Sequence, residues 1–178
     1  MAFTTLILDA PGPPLLFEEV DRFLELGLVV TLNLHYFADK DRIRQHYATR
    51  IHYAEINCHD EPAFIAAVTQ AGGYSVFKTR LNIPFGASLI RAATSPALAT
   101  PLRAIAQAGT GVNHIDRLAC EQCGVAILNT PGSNAPLLPN TSWPRRCFCR
   151  ATWMTTTPKR TTAIGQKAAW HLPANTPN

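Results

Sequence analysis

The sequence predicts an α/β domain, a parallel sheet flanked by helices on both faces, followed by an irregular tail. Three observations predict it. Short apolar runs of strand length recur between residues 4 and 129, most of them too continuous for a strand with one wet face. Helical stretches separate them, so strand and helix alternate, as parallel strands joined by crossovers require. Beyond residue 136 neither period continues.

Taken in order, Thr4 to Asp9 (TTLILD) is the first strand, bounded by the loop Ala10-Pro11-Gly12-Pro13-Pro14. Phe17 to Leu26 makes a helix with Phe17, Val20, Phe23, Leu24 and Leu26 on one face, closed by Gly27. Leu28 to Leu34 is the second strand, Asp39 to Arg50 a charge-dense surface helix, and Ile51 to Ile56 the third strand. Glu61 to Ala71 is a helix with Pro62 in its first turn, Gly72-Gly73 beyond its end, and a cap from His59-Asp60-Glu61. Tyr74 to Thr79 is the fourth strand, Phe85 to Ala93 a helix, and Thr94 to Thr100 a loop around Pro96. Leu102 to Ala108 is the fifth strand. Ile115 to Gly124 is a short helix with Asp116 in its first turn and Gly124 as its stop. Val125 to Asn129 is the last strand, and Thr130-Pro131-Gly132-Ser133-Asn134 is a turn cluster. Ligands of open parallel sheets sit beyond the carboxyl ends of the strands. That places Asp9, Lys78-Thr79-Arg80, Thr110-Gly111 and Asn129-Thr130 on one rim, in a flavodoxin-like plan.

At 178 residues and 47% apolar content, the chain suits one domain with a proper core. No apolar run approaches the roughly 18 residues of a membrane span. Met1-Ala2-Phe3-Thr4-Thr5 lacks the basic start of a signal peptide, so a cytoplasmic address is expected. The net charge of +4 is uneven: residues 137–178 contain no Asp or Glu, and the body before them is slightly acidic. A nucleic-acid reading would rest on that tail alone, and no nucleic-acid partner is expected. Cys120-Glu121-Gln122-Cys123 has C-x-x-C spacing, but a zinc site needs a second pair, and Cys147-Phe148-Cys149 has the wrong spacing. The pair also lies near a helix C-terminus, where nothing lowers a thiol pKa. The six histidines form no H-x-x-x-H or similar cluster, so no metal site is expected.

Gly109-Thr110-Gly111 follows the fifth strand. It is not the dinucleotide fingerprint, because His114 stands at the third glycine and no acidic residue follows at the right distance. Successive amides in a glycine turn can still cradle an anion. Ala108, Gly109, Gly111, Asn113, Ile115, Asp116, Gly124, Val125, Asn129, Thr130, Pro131, Gly132 and Asn134 match the pattern A-G-x-G-x-[DN]-x-I-D, then G-[VI], then N-[TA]-P-[GA]-x-[NS]. On these residues the chain resembles the substrate (catalytic) domain of D-isomer-specific 2-hydroxyacid dehydrogenases, the group that includes phosphoglycerate dehydrogenase. The resemblance spans residues 4 to 136 and is clearest from Tyr74 onward.

The resemblance implies an NAD-dependent oxidoreductase acting on the CH–OH group of a small D-2-hydroxy acid, in a family whose enzymes are usually homodimers. It implies substrate contacts at Gly109, Thr110 and Gly111, and at Lys78 and Thr79, where the family often has Arg-Ser. Lys78 supplies charge there without the bidentate fork of arginine. Asn134 would approach the cofactor. The family's NAD-binding half, with its catalytic Arg, Glu and His, follows the substrate half. After Asn134 this chain has one glycine, Gly165, so the fingerprint is missing. The chain is therefore expected to be truncated or frameshifted, with residues 1–136 an incomplete substrate domain and 137–178 disordered or out of frame. No cofactor and no activity are expected of it alone.

The tail is compatible with a frameshift near Pro136. Leu138-Pro139-Asn140-Thr141-Ser142-Trp143-Pro144 admits the codons CTG CCG AAC ACA TCA TGG CCT. Read from the last base of the preceding leucine codon, these give Ala-Ala-Glu-His-Ile-Met-Ala, which fits the family's V-A-E-H-x-[ML]-A. The alternative is a non-enzymatic flavodoxin-like binding or signalling module. Only Asp9 is well placed for the acidic cluster a receiver domain would want.

Overall fold

The structure, a computed structural model, describes residues 3–130. Strands and helices alternate as β1 (Thr4–Ile7), α1 (Leu15–Glu25), β2 (Val29–Asn33), α2 (Lys40–Tyr47), β3 (His52–Ala54), α3 (Glu61–Gln70), β4 (Val76–Thr79), α4 (Ala87–Ala93), β5 (Ala104–Gln107), α5 (Arg117–Cys123) and β6 (Ala126–Asn129). All six strands are parallel in one sheet of order β3-β2-β1-β4-β5-β6. Without the three-residue edge strand β3, this is the flavodoxin-like order 2-1-3-4-5. The chain starts mid-sheet at β1, winds outward to β3, then crosses back to β4 and winds the other way. The direction reverses between β1 and β4, and it is outside such a reversal that open parallel sheets place their ligands.

Alternation along the strands sorts the core into two clusters. Leu6, Leu8, Phe77 and Ile105 face α3, α4 and α5, where Phe64, Leu89 and Ala119, with Phe85 just before α4, complete the packing. Ile7, Val30 and Leu32 face the other way, toward Leu16 and Val20 of α1 and Ile43 and Tyr47 of α2. The rings of Phe64, Phe77 and Phe85 lie 5.6 to 6.3 Å apart, an aromatic centre for the larger cluster.

Several boundaries differ from expectation, each for a local reason. α1 begins at Leu15 rather than Phe17, because the Gly12 and Pro14 carbonyls accept from the first-turn amides. Its buried residues are Leu16 and Val20, while Leu26 lies beyond the last turn and is 64% exposed. α2 stops at Tyr47, because Ala48 adopts φ 45°. Phe85 is not helical. It pairs in parallel with Ile115, its N–H donating to the His114 carbonyl and its own carbonyl accepting from Asp116 N–H. Asp116 sits outside α5 as its N-cap, accepting from Ala119 N–H at 2.9 Å, and Gly124 closes α5 at φ 69°. Asp60 caps α3 in the same way. The turn beyond Thr130, Asn134, Cys147, Cys149 and the whole tail lie outside the described residues.

Candidate functional site

The reversal of winding puts the ends of β1 and β4 side by side, and a polar knot forms there. Asp9 is 3% exposed, and its Oδ1 accepts from Thr79 Oγ1 and from Arg80 N–H, both at 2.7 Å. Lys78, also 3% exposed, points its Nζ to the Asp9 carbonyl at 2.9 Å. The same Nζ meets both carboxylate oxygens of Glu19 on α1, at 2.8 and 2.9 Å. Burial pushes this ammonium below lysine's usual range, and Glu19 opposes the shift. The Nζ thus donates to two internal acceptors, the Asp9 carbonyl and Glu19 Oε2, and lies within ion-pair distance of Glu19 Oε1.

The next strand end behaves differently. Gly109 N–H turns back to the Gln107 carbonyl, and the Gly109 carbonyl accepts from Thr130 N–H. Asn129 Nδ2 donates to the Thr110 carbonyl at 3.0 Å, tying the turn to β6. Among the described residues, the N–H groups of Thr110 and Gly111 meet no acceptor, and both residues are exposed. Gly111 has no left-handed φ, and a Cβ built on it would meet nothing within 4 Å. Neither backbone geometry nor packing asks for glycine there. A ligand approaching the backbone closely would.

Gln107 joins the two sites. It is 4% exposed, donates from Nε2 to the Arg80 carbonyl at 3.1 Å, and sets Oε1 3.2 Å from His114 Nε2. Burial holds the His114 imidazole below its usual pKa. The expected rim is therefore assembled: Asp9, Lys78, Thr79 and Arg80 meet in the knot, and Thr110 meets Asn129 beside it. Gln107 and Glu19 were not anticipated. A polar residue closing the apolar run Ala104-Ile105-Ala106 was the signal for Gln107, since a buried amide must be hydrogen-bonded. Nothing local marks Glu19 over its neighbour Glu18.

Other chemistry on the described residues is limited. Cys120 and Cys123 are free thiols, and burial raises the pKa of Cys120. Burial likewise pushes the Cys58 thiol up to about 12. Neither Cys58 nor Cys120 is a poised nucleophile. No three His, Cys, Asp or Glu side chains among the described residues gather as a metal site would need, and no helix there is long and apolar enough to cross a membrane. The sheet order is also that of dinucleotide-binding folds, which place pyrophosphate on the turn after the first strand. Here that turn carries Pro11, Pro13 and Pro14, with Pro14 capping α1, so three of its residues have no N–H to offer. A dinucleotide does not fit it. A cleft of about 320 Å³ opens alongside, between the loops after β1 and β2, with Pro13, Tyr36, Phe37 and Arg42 in its walls.

Comparison with known proteins follows the same lines. The family profile for D-isomer specific 2-hydroxyacid dehydrogenase, catalytic domain, matches residues 34–136. Among solved structures, a D-isomer specific 2-hydroxyacid dehydrogenase, NAD-binding, from Polaromonas sp. JS6 66 is similar at 18% identity and TM-score 0.46, over 74% of this chain and 31% of that one. The pyruvate reductase of Chlamydomonas reinhardtii is similar at 17% identity and TM-score 0.40, over 73% of this chain and 29% of that one. The chain thus spans about three tenths of the length of these proteins. No curated protein matches it.

Proposed function

Because the chain belongs to the D-isomer specific 2-hydroxyacid dehydrogenase family through that family's catalytic domain, we propose that residues 1–136 are the substrate-binding part of such an enzyme. The reaction of the whole enzyme is the reversible oxidation of a small D-2-hydroxy acid to the 2-oxo acid, with NAD as hydride acceptor. The observation that carries this reading is the exposed pair of unpartnered amides at Thr110 and Gly111, beside a glycine that the fold does not require. These amides receive the substrate carboxylate, a fixed pair of donors aimed at an anion. Gly109 opens the turn. Lys78 and Thr79 serve it by holding Asp9 and Arg80 in place, and Asn134, by the family resemblance, is the proposed cofactor contact. On this reading the intact enzyme is a cytoplasmic homodimer, with no role for nucleic acid or membranes.

Hydride transfer needs a held nicotinamide, a base and a cationic clamp on the substrate. The described residues offer the carboxylate turn, but Lys78 is committed to Glu19 and the β1–α1 turn lacks pyrophosphate donors. This chain alone therefore binds small carboxylates weakly and does not turn over. Residues 137–178 are the shifted frame of the crossing helix that follows in the family. Two experiments check the reading. Purified chain with NAD and a panel of 2-hydroxy acids gives no NADH, and NADH formation contradicts the inactivity. Sequencing the coding DNA from the Ala126 codon, in all three frames, recovers a G-x-G-x-x-G in a shifted frame, and its absence there contradicts the frameshift.

A further inference from the structure

We propose that Gln107 and His114 are positioning residues of the carboxylate turn, and that through them its affinity for anions rises as pH falls. The proposal rests on reading Thr110 and Gly111 as the carboxylate site. Gln107 is the buried link. Its Nε2 donates to the Arg80 carbonyl, and Arg80 N–H is itself anchored on Asp9, so the amide cannot turn over without losing a bond. Its Oε1 therefore faces His114 Nε2, and that nitrogen must carry the hydrogen. Nδ1 is left as the only place for His114 to gain a proton. The Gln107 amide also lies against the start of the turn, with Nε2 3.4 Å from where a Cβ on Gly109 would sit.

A chain of hydrogen bonds thus runs Asp9–Arg80–Gln107–His114 behind the turn. Proton uptake at Nδ1 leaves the bond from Nε2 to Gln107 intact. It adds a positive charge beside the turn without disturbing its support. The charged groups on the segments packed around the imidazole are Arg80 after β4, with Asp9 behind it, and Asp116 and Arg117 at the start of α5; Phe85, its ring 6.3 Å away, is neutral. Among the described residues no carboxylate pairs with the imidazole, and burial lowers its pKa. A bound carboxylate supplies the missing counter-charge and so favours the protonated form. By linkage, protonation favours the carboxylate equally.

The test is a titration of the full, 15N-labelled chain with pyruvate, which stays anionic throughout, followed at the Thr110 and Gly111 amides from pH 8 to pH 5. The expected result is a several-fold gain in affinity across that range. His114→Asn, which loses the bond to Gln107, should bind somewhat more weakly than the parent at pH 8 and lose the gain at pH 5. Gln107→Leu should weaken binding at both ends and flatten the profile. An equal gain in parent and His114→Asn overturns the proposal, and so does a Gln107→Leu variant with the parent's profile. Because His114 is only part-buried, whereas Gln107 is buried, His114→Asn decides the matter even where Gln107→Leu fails to fold. Pyruvate that moves neither amide at any pH overturns the carboxylate reading and this inference with it. Binding that ignores His114 overturns the inference alone.

Discussion

The knot at Asp9 and the turn at Gly109 lie on neighbouring strand ends and share Gln107, yet they are built to opposite rules. In the knot both buried charged groups have internal partners: Asp9 takes Thr79 and Arg80 N–H, and Lys78 takes Glu19 and the Asp9 carbonyl. In the turn, two exposed amides have none among the described residues. The difference separates a buried cation held by internal partners from exposed backbone amides, which the proposed function makes the anion site. Breaking the knot should cost stability, and filling the turn should cost binding. The two effects should separate.

The largest effect belongs to Asp9→Ala, which leaves the Thr79 hydroxyl and the Arg80 N–H without their charged acceptor. It should lose about 3 kcal/mol or more, read from urea unfolding. Lys78→Ala should follow at roughly 2–3 kcal/mol, since it leaves Glu19 unpaired and a gap beneath it, while Lys78→Met fills that space and should stay within about 1 kcal/mol of the parent. A Lys78→Met variant as unstable as Lys78→Ala would contradict the view that the pair can be replaced by packing. Gly111→Val sharpens the contrast from the other side. Its side chain enters open space, so stability should change by less than about 0.5 kcal/mol while pyruvate no longer reaches the amides.

The smallest effect is electrostatic. Burial lowers the folded-state pKa of His114 below its usual 6.5, so near that pH the unfolded chain binds more protons than the folded one. Stability is then whole above 6.5 and declines as pH falls from there through the lower folded value, where the loss is complete. His114→Gln should remove that part of the slope in unfolding experiments repeated between pH 8 and pH 5. A slope unchanged in the variant would mean that His114 titrates as it does in the unfolded chain.

The strands were legible because parallel strands buried on both faces must be apolar throughout, and Thr4-Thr5-Leu6-Ile7 or Val76-Phe77 can be little else. Gly124 was legible as a helix stop for a local reason, its left-handed φ. Phe85 was misread because its partner, Ile115, comes from a distant segment; a bridge of that kind leaves no period in the sequence, whereas Phe85 next to Ala87-Ser88-Leu89-Ile90 looks helical. The rim itself could be placed from strand polarity, which is why Asp9, Lys78, Thr79 and Thr110 fell together. Their partners could not. Glu19 is 59 positions from Lys78, and only the packing of α1 on the sheet selects it. Gln107 lies within a strand, where period-based reading treats a terminal polar residue as an exit rather than a link.

The most direct measurement is the same pyruvate titration carried out at a single pH of 7, with every backbone amide of the folded part followed at once. The account predicts shifts concentrated at Thr110 and Gly111, with Lys78, Thr79 and Arg80 left nearly unmoved because their partners are internal. Shifts centred on Lys78 and Arg80, with the turn silent, would contradict it and make the buried cation the anion site after all.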